Sequence, residues 1–149
     1  MKLQKLHTTN IIDFYSADTE LHFELPFADI GISAGFPSPA QDFLDLSIDL
    51  NKELIKNPSA TFYGRVKGDS MSDLGIDDRD LLIIDKSLEP KNGKIAVCFI
   101  DGEFTIKTIK IEKDCIWLLP ANEKYKPVQV TEDNDFVVWG IVIHVIKSF

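Results

Sequence analysis

A chain of 149 residues with 44% hydrophobic composition can build one well-packed core with an extension, and is too short for two full domains. Its 24 acidic residues outnumber 16 Lys and Arg, and the formal charge of -8 opposes phosphate-backbone binding, so direct sequence-specific DNA binding is not expected. No apolar run approaches the roughly 18 residues needed to cross a bilayer, and polar residues interrupt the opening MKLQKLHTTNIIDFYSADTE where a signal peptide needs a continuous apolar stretch. A soluble, intracellular protein without membrane attachment is therefore expected.

Along the chain, the first thirty-odd residues lack sustained periodicity apart from ELHFEL at 20–25, and read as an extended arm. AGFPSPAQDF at 34–43 carries Gly35, Pro37 and Pro39 within five residues, which disfavours regular structure and marks an exposed hinge. From Phe43 to Ile55, Leu46, Leu50 and Leu54 recur every four positions until Pro58 stops the pattern, predicting one or two short helices. Beyond Ala60 the pattern turns to β. ATFYGRV alternates, DLLIID and KIAVCFI are short apolar runs, and FVVWGIVIHVI is rich in β-branched residues. Asp101-Gly102 between KIAVCFI and EFTIKTIKI is a hairpin signal, because both residues tolerate the positive φ of a type I′ turn. The fold class is mainly β, a compact β domain with one or two short helices and an N-terminal arm.

Two residues stand out chemically. Ser70 in Gly68-Asp69-Ser70-Met71 follows an alternating strand and precedes the turn-rich SDLGIDDRD, a setting that suits a nucleophile, although spacing alone favours a turn or cap. Lys107 lies on the predicted strand EFTIKTIKI, where alternation puts Phe104 and Ile106 on one face and Thr105 and Lys107 on the other. That face is either solvated or, if buried, one that holds a lysine neutral enough to act as a base. The three histidines, His7, His22 and His144, are too scattered for a Ser/His/Asp triad or a zinc site, and neither metal nor cofactor is called for. A serine peptidase without a histidine base can use a desolvated lysine. Cys98 and Cys115 lie in apolar stretches outside any CxxC pair, which predicts buried, reduced, structural thiols.

Read in order, AGFPSPAQDF, DLNKELIKNPSATF, KGDSM, DRDLLIID, DGEFTIK and WGIVIHVIK resemble the UmuD type of the LexA-like self-cleaving serine peptidase family, from about Ala34 to Lys147. The resemblance implies a LexA/signal-peptidase-like β domain over 35–149 and an arm, 1–34, removed by self-cleavage of the Ala34–Gly35 bond. Ser70 is then the nucleophile and Lys107 the general base. It also implies cleavage promoted by the RecA filament on single-stranded DNA in the SOS response, a homodimer, and assembly of the shortened form with a UmuC-type Y-family polymerase. Two positions depart from the pattern. Ala34 stands where UmuD proteins often have cysteine, and Arg79 where relatives commonly have glycine, which bears on the local turn. The residues before Ala34 lack the helical pattern of a helix-turn-helix repressor. A non-catalytic interaction module is the alternative reading. A signal peptidase shares the Ser/Lys chemistry but requires a membrane anchor.

Overall fold

A computed structural model of the chain describes residues 4–17, 24–27 and 46–149. Among the described residues the strands are β1 (Gln4–Thr8), β2 (Ile12–Ser16), β3 (Glu24–Phe27), β4 (Leu46–Asp49), β5 (Thr61–Val66), β6 (Leu81–Asp85), β7 (Ile95–Ile100), β8 (Glu103–Ile111), β9 (Ile116–Leu119), β10 (Val128–Val130) and β11 (Phe136–Ile146), with one α-helix, α1 (Leu50–Leu54). Among the described residues, no helix is long and apolar enough to cross a membrane. The chain divides into two units. One contains residues 4–17 and 57–149, the other residues 24–27 and 46–56.

The larger unit is a nine-stranded antiparallel sheet in the order β1-β2-β5-β6-β11-β7-β8-β9-β10. The eleven-residue β11 pairs with β6 on one side and β7 on the other, and takes a bulge against each. Alternation along the strands sends side chains to two apolar clusters. Phe14, Leu82, Ile84, Val97 and Ile106 meet in one, and Ala96, Cys98, Ile109, Leu118 and Ile141 in the other. With both faces packed, a polar residue on a central strand can be buried on either. The β7–β8 hairpin closes through Asp101 (φ 48) and Gly102 (φ 89), the two positive φ angles that the Asp-Gly pair predicts.

Three expectations are corrected. Residues 4–16 are not aperiodic, because IIDFYS supplies alternating Ile12 and Phe14 to the core and Thr9 closes the turn. The Thr9 hydroxyl donates to the Ile12 carbonyl and accepts from the Ile11 and Ile12 amides. Of the one or two short helices expected from Phe43 to Ile55, the described residues from Leu46 onward hold one, at Leu50–Leu54. Leu46–Asp49 pair with β3 instead, and Asp49 caps the helix by accepting from the Asn51 amide at 3.0 Å. Strand pairing outweighs the four-residue leucine spacing here. Cys98 is buried as expected, but Cys115 is partly exposed, because it sits in the turn between β8 and β9, where its carbonyl accepts from the Glu112 amide.

Candidate active site

Ser70 lies on a turn that leaves β5 and enters a 3-10 turn at Ser72–Leu74. Gly68 begins it with φ 100, a conformation that a side chain would strain, and donates its amide to Asp78 Oδ1 at 2.9 Å. Buried Met71 and Ile76 anchor the turn in the first cluster, so that partly buried Ser70 stands at its edge. The loop after β9, residues 120–125, grips the same turn. The Ser70 carbonyl accepts from the Ala121 amide at 2.8 Å, the Asp69 carbonyl accepts from Asn122 Nδ2 at 2.9 Å, and Tyr125 Oη donates to Asp69 Oδ1 at 2.6 Å. That bond to a carboxylate raises the Tyr125 pKa, because losing the phenolic proton would break it.

Lys107 comes from the middle of β8, paired with Ala96 of β7. Its face is buried: the residue retains only 9% of its accessible surface. The solvated-face alternative is thereby removed. Nζ lies 3.1 Å from Ser70 Oγ, 2.8 Å from Thr105 Oγ1 and 3.0 Å from the Ile106 carbonyl oxygen. No carboxylate balances it among these contacts. Burial lowers the Lys107 pKa below its ordinary value, with the Cys98 sulfur opposing. That opposition is weak at neutral pH, because burial pushes the Cys98 thiol up to about 12 and leaves it uncharged.

The two side chains share a groove of about 310 Å³, with Phe104, Leu118 and Val128 forming its apolar wall and Asp69 and Glu103 its acidic positions. The structure thus brings Ser70 and Lys107 together from positions 37 residues apart. Ala34 and Gly35 lie outside the described residues. Thr105 was missed in the sequence, although it lies two residues before Lys107 on the same strand face. Asn122 and Tyr125 were missed as well, and no local pattern marks a loop residue that meets the nucleophile turn only through tertiary contact.

Arg79 has φ 72, the conformation glycine tolerates, while its side chain is 91% exposed. A left-handed non-glycine residue costs about 1–2 kcal/mol. The turn keeps its shape through the Arg79 amide, which donates to the Val66 carbonyl at 2.9 Å, and the Arg79 carbonyl, which accepts from Arg65 Nη1 at 3.0 Å. The departure at this position therefore leaves the geometry around Ser70 in place.

A serine hydroxyl 3.1 Å from a buried lysine amine, on an antiparallel sheet, is an arrangement in which a Ser/Lys hydrolase can work. Residues 26–143 match the Peptidase S24-like family, and the chain belongs to it. Its relatives include Protein MucA of Salmonella typhimurium, 38% identical over 133 residues, 88% of this chain and 90% of MucA. Protein SamA of Salmonella typhimurium strain LT2 is 42% identical over 115 residues, 77% of this chain and 81% of SamA. The LexA repressor of Alcanivorax borkumensis is 38% identical over 117 residues, 78% of this chain and 56% of the repressor. The UmuD-type, LexA-like resemblance is borne out, and the chain is a self-cleaving serine peptidase.

Proposed function

We propose that Ser70 is the nucleophile and Lys107 the general base of this self-cleavage, and that the bond cut is Ala34–Gly35. The observation that carries this reading is the 3.1 Å contact between Ser70 Oγ and the buried Lys107 Nζ. A neutral amine has two N–H bonds and one lone pair. The Ile106 carbonyl can only accept, and Thr105 Oγ1 can accept the other N–H, which leaves the lone pair for the Ser70 proton.

As Lys107 takes that proton, Ser70 Oγ bonds to the Ala34 carbonyl carbon. Lys107 then protonates the departing Gly35 nitrogen, the C–N bond breaks, and the Ala34 acyl group stays on Ser70. Water, deprotonated by Lys107, hydrolyses this ester and restores the Ser70 hydroxyl. N–H groups at or beside Ser70 stabilise the oxyanion. The turn that would present them is held by the bonds of its Ser70 and Asp69 carbonyls to Ala121 and Asn122. Because nucleophile and target belong to one molecule, the effective concentration is high and a modest catalyst suffices.

The family and the UmuD-like relatives support a place in the SOS response. On that basis cleavage is promoted by the RecA filament on single-stranded DNA, in the cytoplasm. The protein acts as a homodimer, and its shortened form joins a UmuC-type polymerase for translesion synthesis. Purified protein incubated at alkaline pH should yield a fragment beginning at Gly35, identified by N-terminal sequencing. A different new N-terminus would move the scissile bond, and an uncut chain under RecA stimulation would end the reading.

A further inference from the structure

We propose that the outer edge of β5 is a strand-binding surface that keeps residues 1–34 attached after the Ala34–Gly35 bond is cut. The position of the cut rests on the proposed function; the surface rests on the packing of β2. This strand pairs antiparallel with β5 from Ile12↔Val66 to Ser16↔Phe62. Ile12 is fully buried and Phe14 retains only 3% of its surface.

The slot for Ile12 is built into β5 itself. A Cβ on Gly64 would collide with the Ile12 side chain and come within 3.0 Å of Ile84 Cδ1, so a glycine at this position lets the two strands close up. The Phe14 ring sits 4.5 Å from Trp139 and 4.9 Å from Phe104, centroid to centroid. Polar contacts fix the register. Asp13 pairs with Lys67 at 2.8 Å and Lys5 at 3.6 Å, Lys67 Nζ donates to the Thr9 carbonyl at 2.8 Å, and the Lys67 amide donates to the Ile11 carbonyl at 2.6 Å.

A second pairing also bridges the cut. β3, before Ala34, pairs with β4, after it, from Glu24↔Asp49 to Phe27↔Leu46. The scissile bond falls in the connection between these strands, so hydrolysis severs a link while leaving both ladders in place. Cleavage and separation are then distinct steps. Only separation opens the β5 edge, whose slots fit another extended strand with an aliphatic residue and an aromatic two positions apart.

The test uses two full-length chains, each cut and then run on size exclusion at about 1 µM with native mass spectrometry; the wild type is cut by its own activity at alkaline pH. The other is a Ser70→Ala chain with a site-specific endopeptidase sequence in place of residues 31–37, cut by that peptidase. The expected result is one-to-one co-elution of 1–34 with 35–149 in both. The combined Ile12→Ser and Phe14→Ser changes should weaken retention at least about a hundredfold, the scale on which two emptied core slots weaken packing. If that variant does not fold before cutting, Asp13→Ala replaces it, with retention weakened severalfold. Separate elution of the pieces from the cut wild-type sheet, or retention unchanged in the β2 variants, overturns the inference. If the wild type fails to cut itself while the peptidase-cut chain keeps its fragment, the Ser70–Lys107 assignment falls and the strand-binding surface stands.

Discussion

Lys107 and Lys147 belong to one sheet and meet opposite environments. Lys107 is enclosed in the middle of β8 with three oxygen neighbours and no carboxylate among them, and burial lowers its pKa. Lys147 follows the end of β11, where the pairing of Ile146 with Leu81 carries it to Asp80. It ion-pairs with Asp77 at 2.7 Å and with Asp80, and the hydrogen bonds to Asp77 and Asp80 raise its pKa. One site disfavours the ammonium and the other is built around it. The contrast teaches that burial without a carboxylate, rather than anything in the side chain itself, turns a lysine toward its neutral form.

The sharpest way to break this comparison is to change the charge state available at position 107. Lys107→Arg keeps a cation but cannot give it up near neutral pH, since guanidinium stays protonated above pH 12. We expect Lys107→Arg, Lys107→Ala and Ser70→Ala each to lower the first-order rate of self-cleavage by at least about a thousandfold, as losses of a nucleophile or its base do. Gel quantitation of the fragment beginning at Gly35 measures it. Cleavage by Lys107→Arg at a rate near wild type would show that no proton is taken by this side chain.

The pH profile sharpens the same point. Without RecA, the rate should rise as pH increases, because only neutral Lys107 accepts the Ser70 proton, and it should level off once deprotonation is complete. The midpoint should fall below the ordinary lysine value of 10.5, since burial lowers the Lys107 pKa. Lys107→Ala removes the limb. Lys110→Ala should leave it unchanged, since Lys110 is exposed on the other strand face and pairs with Glu112 at 3.3 Å. A rate independent of pH from neutral to strongly alkaline would end the Ser/Lys mechanism.

Thr105 provides a smaller effect. Its hydroxyl accepts from Lys107 at 2.8 Å and so orients the amine toward Ser70. Thr105→Val keeps the shape and removes the acceptor, and should slow cleavage about tenfold, within the range that a misplaced catalytic group costs. Thr105→Ser should restore most of the rate. Equal rates for Val and Ser would assign Thr105 to packing alone.

How much of this was legible depends on whether the signal was local. The β8 alternation placed Thr105 and Lys107 on one face, and Asp101-Gly102 placed the hairpin that aims β8, because both are properties of neighbouring residues. Whether that face was wet or dry was not legible. Burial of Lys107 depends on a sheet packed on both sides, with Ile106 in one cluster and Ile109 in the other. The grip of Asn122 and Tyr125 on Asp69 joins positions more than 50 residues apart, beyond any local pattern. The β2 strand could have been read from the spacing of Ile12 and Phe14, but the neighbouring Ile11 blurs the alternation. The Leu46–Leu50–Leu54 spacing misled in the other direction, since pairing with β3 claimed the first of those leucines.

Lys147 offers the gentlest test, because its pair with Asp77 and Asp80 lies at the rim of the sheet. Its folded pKa is raised, so the stability it contributes is present in full below its unfolded value and is lost as pH climbs through the folded one. The window therefore opens near 10.5, on the alkaline side of the range where Lys107 loses its proton. Lys147→Met should lower the melting temperature modestly at pH 8 and by progressively less as pH climbs beyond 10.5 and the wild type also forfeits the charge. Lys147→Arg should restore most of the difference at pH 8, since either cation can meet both carboxylates. Cleavage by Lys147→Met should keep the wild-type midpoint, which belongs to Lys107. A midpoint that moved with Lys147, or a melting difference that grew with pH, would mean that the two lysines are not the independent, oppositely tuned groups their surroundings describe.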